Sequence, residues 1–183
     1  MLVNKIALIS ARILDLPHAV DYLSKRNEAG NALKEVDRLV NATNLVLSEL
    51  SSFDIYVIKE QRIKVVDGKI LFSSLLKMPI KVLELLDDKG ESIPFTVYPT
   101  YIKCEQNASS IKYAYNTSIE IGEDFLLSDY RISEKIIAMG VVAEYLIIIN
   151  DFETAVYWHE RYIKALKKLV SPKSTRLKDR SFV

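Results

Sequence analysis

Between Ile136 and Ile149 the chain reads IIAMGVVAEYLIII, a run in which Glu144 carries the only charge. A helix that spans a bilayer needs about 20 apolar residues, and this run has about 14 before Asn150 and Asp151 end it. A helix apolar on almost every side but too short to cross a membrane has to be packed by other elements nearly all round. It therefore predicts a central core helix. A chain of 183 residues is long enough to surround one, since folding at about that length hides roughly 70% of the unfolded surface. Gly140 inside the run costs about 1 kcal/mol of helix propensity against Ala. A glycine there is expected to let a neighbouring helix approach closely.

The segment that follows predicts the partner of that helix. Asn150 with Glu153 three residues on has capping-box spacing, and Ala155, Tyr162, Ala165, Leu166 and Leu169 then fall on one helical face before Pro172 stops it. The Tyr157-Trp158 pair is expected to serve hairpin packing or a subunit interface, where such residues are enriched. At the other end of the chain, Ile6, Ile9, Ile13 and Leu16 recur at helical spacing. Arg12 and Asp15 break the apolar run, so an amphipathic helix fits better than a signal peptide. Pro17 interrupts, and a second stretch starts near His18. A third helix is predicted from Asn31 as N-cap, with Leu33, Val36, Val40, Leu47 and Leu50 in period.

From Phe53 the period changes from helical to alternating. In QRIKVVDGKILF, Asp67-Gly68 sits between two alternating runs, a strong short-range signal for a type I′ hairpin. Asp87-Asp88-Lys89-Gly90 predicts a second hairpin joining IKVLELL to SIPFTVYP, and YIKCE and SSIKYAYN add further strands, with Ile111, Tyr113 and Tyr115 on one face. Five or six short strands suffice for a small sandwich or barrel. The predicted fold class is α+β: a helical bundle with an inserted small antiparallel β domain. Residues 1–52 form N-terminal helices, 53–128 the strand-rich insertion, 129–170 a C-terminal helix hairpin packing on the first helices, and 171–183 a basic tail.

Motifs that carry chemistry are missing from this pattern. Cys104 is the only cysteine, and the two histidines, His18 and His159, are far apart in sequence. The glycines stand singly, with no phosphate-cradling loop. Asp87-Asp88 and Glu120, Glu123 and Asp124 read as solvated acidic turns before they read as cation sites. No catalytic residue, metal or cofactor is expected. Tyr98, Tyr101, Tyr113 and Tyr115, interleaved with Lys103 and Lys112, form a candidate base-stacking surface, weighed against plain strand packing. Net charge is +1, but residues 164–180 carry +6 and leave −5 to the rest. That basic end suits a helix C-terminus or an acidic partner.

The hairpin sequence MGVVAEYLIIINDFETAVYWHERYIKALKKL resembles a segment of the head–tail connector or adaptor proteins of short-tailed phages and prophages. Gly140, Ala143, Glu144 and Tyr145 match the first helix of that pattern. Asp151, Ala155, Trp158, Tyr162 and Ala165 match the second, and Val142 departs from it. With the order of helices, strands and closing hairpin, the resemblance covers about residues 30–170. It implies a non-enzymatic virion protein that forms a homo-oligomeric ring on assembly between portal and tail proteins, with free subunits able to remain monomeric until the partner nucleates assembly. Localisation would be the virion, after the host cytoplasm, with no membrane association and nucleic acid met only as the passing genome. Hairpin packing or subunit contact would fall to Gly140, Glu144, Tyr145, Trp158 and Tyr162, and tail contacts with a partner to Lys173, Arg176, Lys178 and Arg180. Two alternatives stay open: a helix-hairpin protein-interaction module, since NDFETAVYWHERYIKAL is similar to half a tetratricopeptide unit, and a small nucleic-acid-binding protein.

Overall fold

The computed structural model describes residues 1–24, 31–105, 107–115 and 118–170. Within these the fold is α+β, with five helices and seven short strands. Helix α1, Val3–Ile13, buries Val3, Ile6, Ala7, Ser10 and Ala11. The buried face is thus rotated from the expected one, and Ile13 is exposed. Pro17 opens α2, Pro17–Leu23, at the first helical position, where its missing N–H costs nothing. The Ala19 N–H of that first turn donates to Glu35 Oε2 at 3.1 Å, so the third helix caps the second. Helix α3, Asn31–Leu50, faces the core with Ala32, Val36, Leu39, Ala42, Val46, Leu47 and Leu50. Leu33, expected in that stripe, is exposed instead; Ala32 takes the core-facing position one residue earlier.

One turn of 3₁₀ helix, Ser51–Phe53, and a left-handed Asp54 swing the chain into the strands. These are β1 (Val57–Arg62), β2 (Lys69–Leu71), β3 (Pro79–Leu86), β4 (Phe95–Val97), β5 (Tyr101–Cys104), β6 (Ser110–Tyr115) and β7 (Leu126–Leu127). They form two antiparallel sheets, ordered β3-β6-β1-β7 and β2-β5-β4. Both predicted turns exist. Asp67 and Gly68 take φ of 51° and 70°, and Val66 and Lys69 exchange both backbone hydrogen bonds around them, at 3.0 and 2.9 Å. Asp87 Oδ1 accepts from the Lys89 and Glu91 N–H groups, each at 2.8 Å.

Neither turn makes the hairpin expected of it. β1 pairs with β6 and β7 while β2 pairs with β5, and β3 pairs with β6 while β4 pairs with β5. After one bridge each, at Val66–Lys69 and Leu86–Ser92, the flanking chains part into different sheets. A turn is fixed by local φ, whereas the strand's partner is chosen by which face the core covers. The seventh strand, β7, is two residues long and too short to leave an alternating pattern.

Helix α4, Glu134–Ile148, begins two residues after the expected Ile132, which is buried just ahead of it. Helix α5, Phe152–Val170, follows a tight reversal. Asn150 does not open α5. At φ 66° it closes α4: its N–H bonds to the Ile147 carbonyl at 3.0 Å and the Asp151 N–H to that of Leu146 at 2.9 Å, the paired bonds of a Schellman motif. Asp151 is the cap of α5, with Oδ1 accepting from Thr154 N–H at 3.3 Å. The reason is conformational, because Asn tolerates the left-handed region that ends a helix. One hydrophobic cluster runs from Val3 and Ile6 through Leu39 and Val46 to Ile70, Ile102, Ile111 and Tyr162, so helices and sheets share a core. No helix among the described residues is long and apolar enough to cross a membrane.

Candidate functional site: a three-helix junction and two exposed apolar surfaces

Gly140 lies where α3, α4 and α5 meet. A Cβ built there would come within 3.1 Å of both γ-carbons of Val46 and 3.2 Å of Tyr162 Cε2, closer than such contacts normally sit. Tyr162 is fully buried, and its hydroxyl is the one buried side-chain polar atom without a hydrogen-bond partner among the described residues. Burial first, then the carboxylates of Glu49 on α3 and Glu144 on α4, push its pKa far up. A phenol held neutral in this way is neither nucleophile nor general base. Glu49 is half-buried; burial raises its pKa, His159 opposes that rise and Glu144 adds to it. The exposed His159 ring is 6.3 Å from that of Tyr162. Among the described residues no three or more His, Cys, Asp or Glu side chains are grouped to hold a metal ion.

The other hairpin residues singled out from sequence divide between inside and outside. Tyr145 is buried, its hydroxyl hydrogen-bonded to Arg38 of α3, with burial raising its pKa against that bond. Trp158 is half-buried over Val142, Leu146 and Ala155, where Leu14 also packs. The Arg161 guanidinium caps its ring at 4.7 Å. Neighbouring Tyr157 points outward and is 56% exposed. Gly140, Glu144, Tyr145, Trp158 and Tyr162 thus gather along one hairpin, though on different sides of it. Lys173, Arg176, Lys178 and Arg180 lie outside the described residues. Just before them, Lys164, Lys167, Lys168 and His159 line an open depression of ≈ 610 Å³ along α5.

The tyrosines do not form one platform. Tyr113 and Tyr115 are buried, and the Tyr113 hydroxyl donates to Gln61 Oε1 at 3.2 Å while accepting from the Lys77 N–H at 3.3 Å. Only Tyr98 and Tyr101 stack near the surface, with ring centroids 4.7 Å apart and Lys69 Nζ 5.1 Å from the Tyr101 ring. The candidate four-residue stacking surface gives way to the strand-packing alternative, because the face of β6 that carries Tyr113 and Tyr115 packs into the hydrophobic core. The Cys104 thiol is buried, which raises its pKa and keeps it from reacting.

Sequence reasoning missed two exposed apolar surfaces. One is the hairpin tip, where Ile147, Ile148, Ile149, Phe152 and Val156 are all at the surface. The other is the segment leading into β3, where Leu76 and Met78 just ahead of the strand and Ile80 at its start are exposed, with Leu71 exposed at the end of β2. The signal for the first was present in the sequence: the apolar run continues to the very end of α4. These features define an α+β protein whose conspicuous surfaces are apolar and whose interior, among the described residues, holds one unpaired phenol. No protein-family model matches the chain, and no curated protein matches it.

Proposed function

We propose that the chain is a non-enzymatic head–tail adaptor of a phage or prophage, working by self-association into a ring and by contact with portal and tail proteins. The observation that carries this reading is the α4–α5 hairpin. Its sequence resembles the connector segment, and its tip leaves Ile147, Ile148, Ile149, Phe152 and Val156 at the surface, where single chains seldom keep a run of large apolar groups without a partner. The close approach at Gly140 supports it further, since a hairpin locked against α3 offers a rigid face for assembly. Peptide mass spectrometry on particles purified from an induced source culture tests the reading. Recovery at tens of copies or fewer per particle is the expected result. Presence in the lysate with absence from intact particles would overturn it in favour of an intracellular helix-hairpin interaction protein.

A further inference from the structure

Two of the four strand tyrosines remain at the surface, and the small sheet sets them beside a pair of cations. Burial alternates along β2 and β5. Ile70, Ile102 and Cys104 face the core, while Lys69, Leu71 and Lys103 are exposed and Tyr101 is half-buried. Residues two apart on a strand share a face, so these four stand together on the outer one. Register aligns them in two rows. Leu71 is opposite Tyr101, and Lys69 is opposite Lys103, which has Thr96 of β4 on its other side. Tyr98 extends the first row. Its N–H bonds the Tyr101 carbonyl at 2.8 Å across the Pro99-Thr100 turn, and the two rings stack at 4.7 Å with 11° between their planes. An aromatic row thus runs beside a cationic one, about 7 Å away along the strands. Lys69 Nζ lies 5.1 Å from the centre of the Tyr101 ring, which places both rows on one surface.

The lysine pair works against the fold, since like charges directly opposite on neighbouring strands destabilise them. Neither Lys69 nor Lys103 has an ion-pair partner among the described residues; Asp67 and Glu105, two residues further along each chain segment, are not within pairing distance of either. Tyr98 is 38% exposed and leaves ring surface open to another planar group. A ligand that answers both rows carries flat rings and anionic groups side by side. That is the chemistry of a nucleotide chain whose bases are unpaired, where aromatic side chains stack on bases and cations track the phosphates. Bases in a duplex keep their faces inside the stack and do not meet the first row.

We propose that the outer face of the β2-β5-β4 sheet binds single-stranded nucleic acid, with a base stacked on Tyr98 and phosphates held by Lys69 and Lys103. The aromatic pair is already ordered, so binding loses little further freedom there. The proposal goes beyond the adaptor reading and does not rest on it.

Fluorescence anisotropy of a labelled oligothymidylate titrated with the full chain tests it. The expected result is binding that weakens as salt rises. Tyr98→Ala should weaken it about tenfold, within the usual worth of one stacked base, and Tyr98→Phe should retain it. Lys69→Gln combined with Lys103→Gln should reduce the log–log salt slope by about 1.4, at about 0.7 for each of two phosphate contacts on a single strand. If Tyr98→Ala lowers the thermal midpoint, the lysine variant decides, because removing one of two repelling charges does not weaken the sheet. No binding at low salt would overturn the proposal. So would competition by a duplex of the same length as strong as that of the single strand. Binding that survives the Tyr98 and lysine changes but falls in Lys164→Gln with Lys167→Gln would also overturn it, assigning the effect to bare charge on α5. Binding by a chain absent from purified particles would sink the adaptor reading alone; a particle protein that binds no single strand would sink this proposal alone.

Discussion

Helices α4 and α5 are consecutive and antiparallel, yet they live in different surroundings. Eight of the 15 residues of α4 are buried, from Ile137 to Leu146. Among the described side chains of α5 the buried positions are Ala155, Tyr162 and Leu166, separated by whole helical turns. One helix is enclosed nearly all round; the other rests on a stripe. Their contact therefore depends on few groups from α5, Tyr162 foremost, and on the absence of a side chain at Gly140. The rest of α5 is free to present charge and apolar surface outward.

The largest effect should come from the side chain that holds the two helices together. Tyr162→Ala empties space against Gly140 and Val46 and should cost about 3–5 kcal/mol, the usual range for large aromatic deletions, read as a lower denaturant midpoint. Tyr162→Phe keeps the ring and removes the unpaired hydroxyl, so it should stabilise by about 1 kcal/mol. A loss of stability from Tyr162→Phe would mean that the hydroxyl has a partner after all. Next, Gly140→Leu should destabilise by about 1–3 kcal/mol through overpacking against Val46 and Tyr162. A neutral result in thermal unfolding would show that α5 can shift away, and that the hairpin is looser than its contacts suggest.

A smaller effect is expected from Glu49. Its folded-state pKa is raised above the ordinary value of 4.5, chiefly by burial. The fold therefore binds a proton more tightly than the unfolded chain does. Stability from this group is fully present below the unfolded pKa and declines as pH rises through the folded one. Glu49→Gln should flatten that decline, so the gap between variant and parent in chemical denaturation should widen from about pH 4 upward. A gap that stays constant with pH would assign the effect to packing alone. The smallest change belongs to the outward face: Phe152→Ala, at a 59% exposed position, should leave stability within about 0.5 kcal/mol. A larger loss would move the tip from surface to core and break the contrast between the helices.

Much of this architecture was legible in the sequence, because much of it is local. An apolar run without a polar face dictates enclosure, so α4 was readable as central. Asp67-Gly68 and Asp87–Gly90 dictate turns through the φ values their residues tolerate. The helix junction was half legible: a glycine in an apolar helix announces a close neighbour, but not which one. The cap of α5 was misplaced by one residue, since Asn150 and Asp151 can each cap a helix, and only the left-handed backbone after Ile149 assigns Asn150 to the end of α4.

The order of amino acids alone thus sets the elements: where helices run, where the chain turns, and that α4 must be covered. Packing of the whole chain settled the rest. It divided the strands between two sheets, turned Tyr113 and Tyr115 inward, closed Val46 and Tyr162 on Gly140, and left the tip and the Leu76–Ile80 segment uncovered. Turn type and helical period are properties of adjacent residues. Partner choice and exposure depend on groups brought together from opposite ends of the chain, and no local pattern encodes which surfaces the completed core leaves outside.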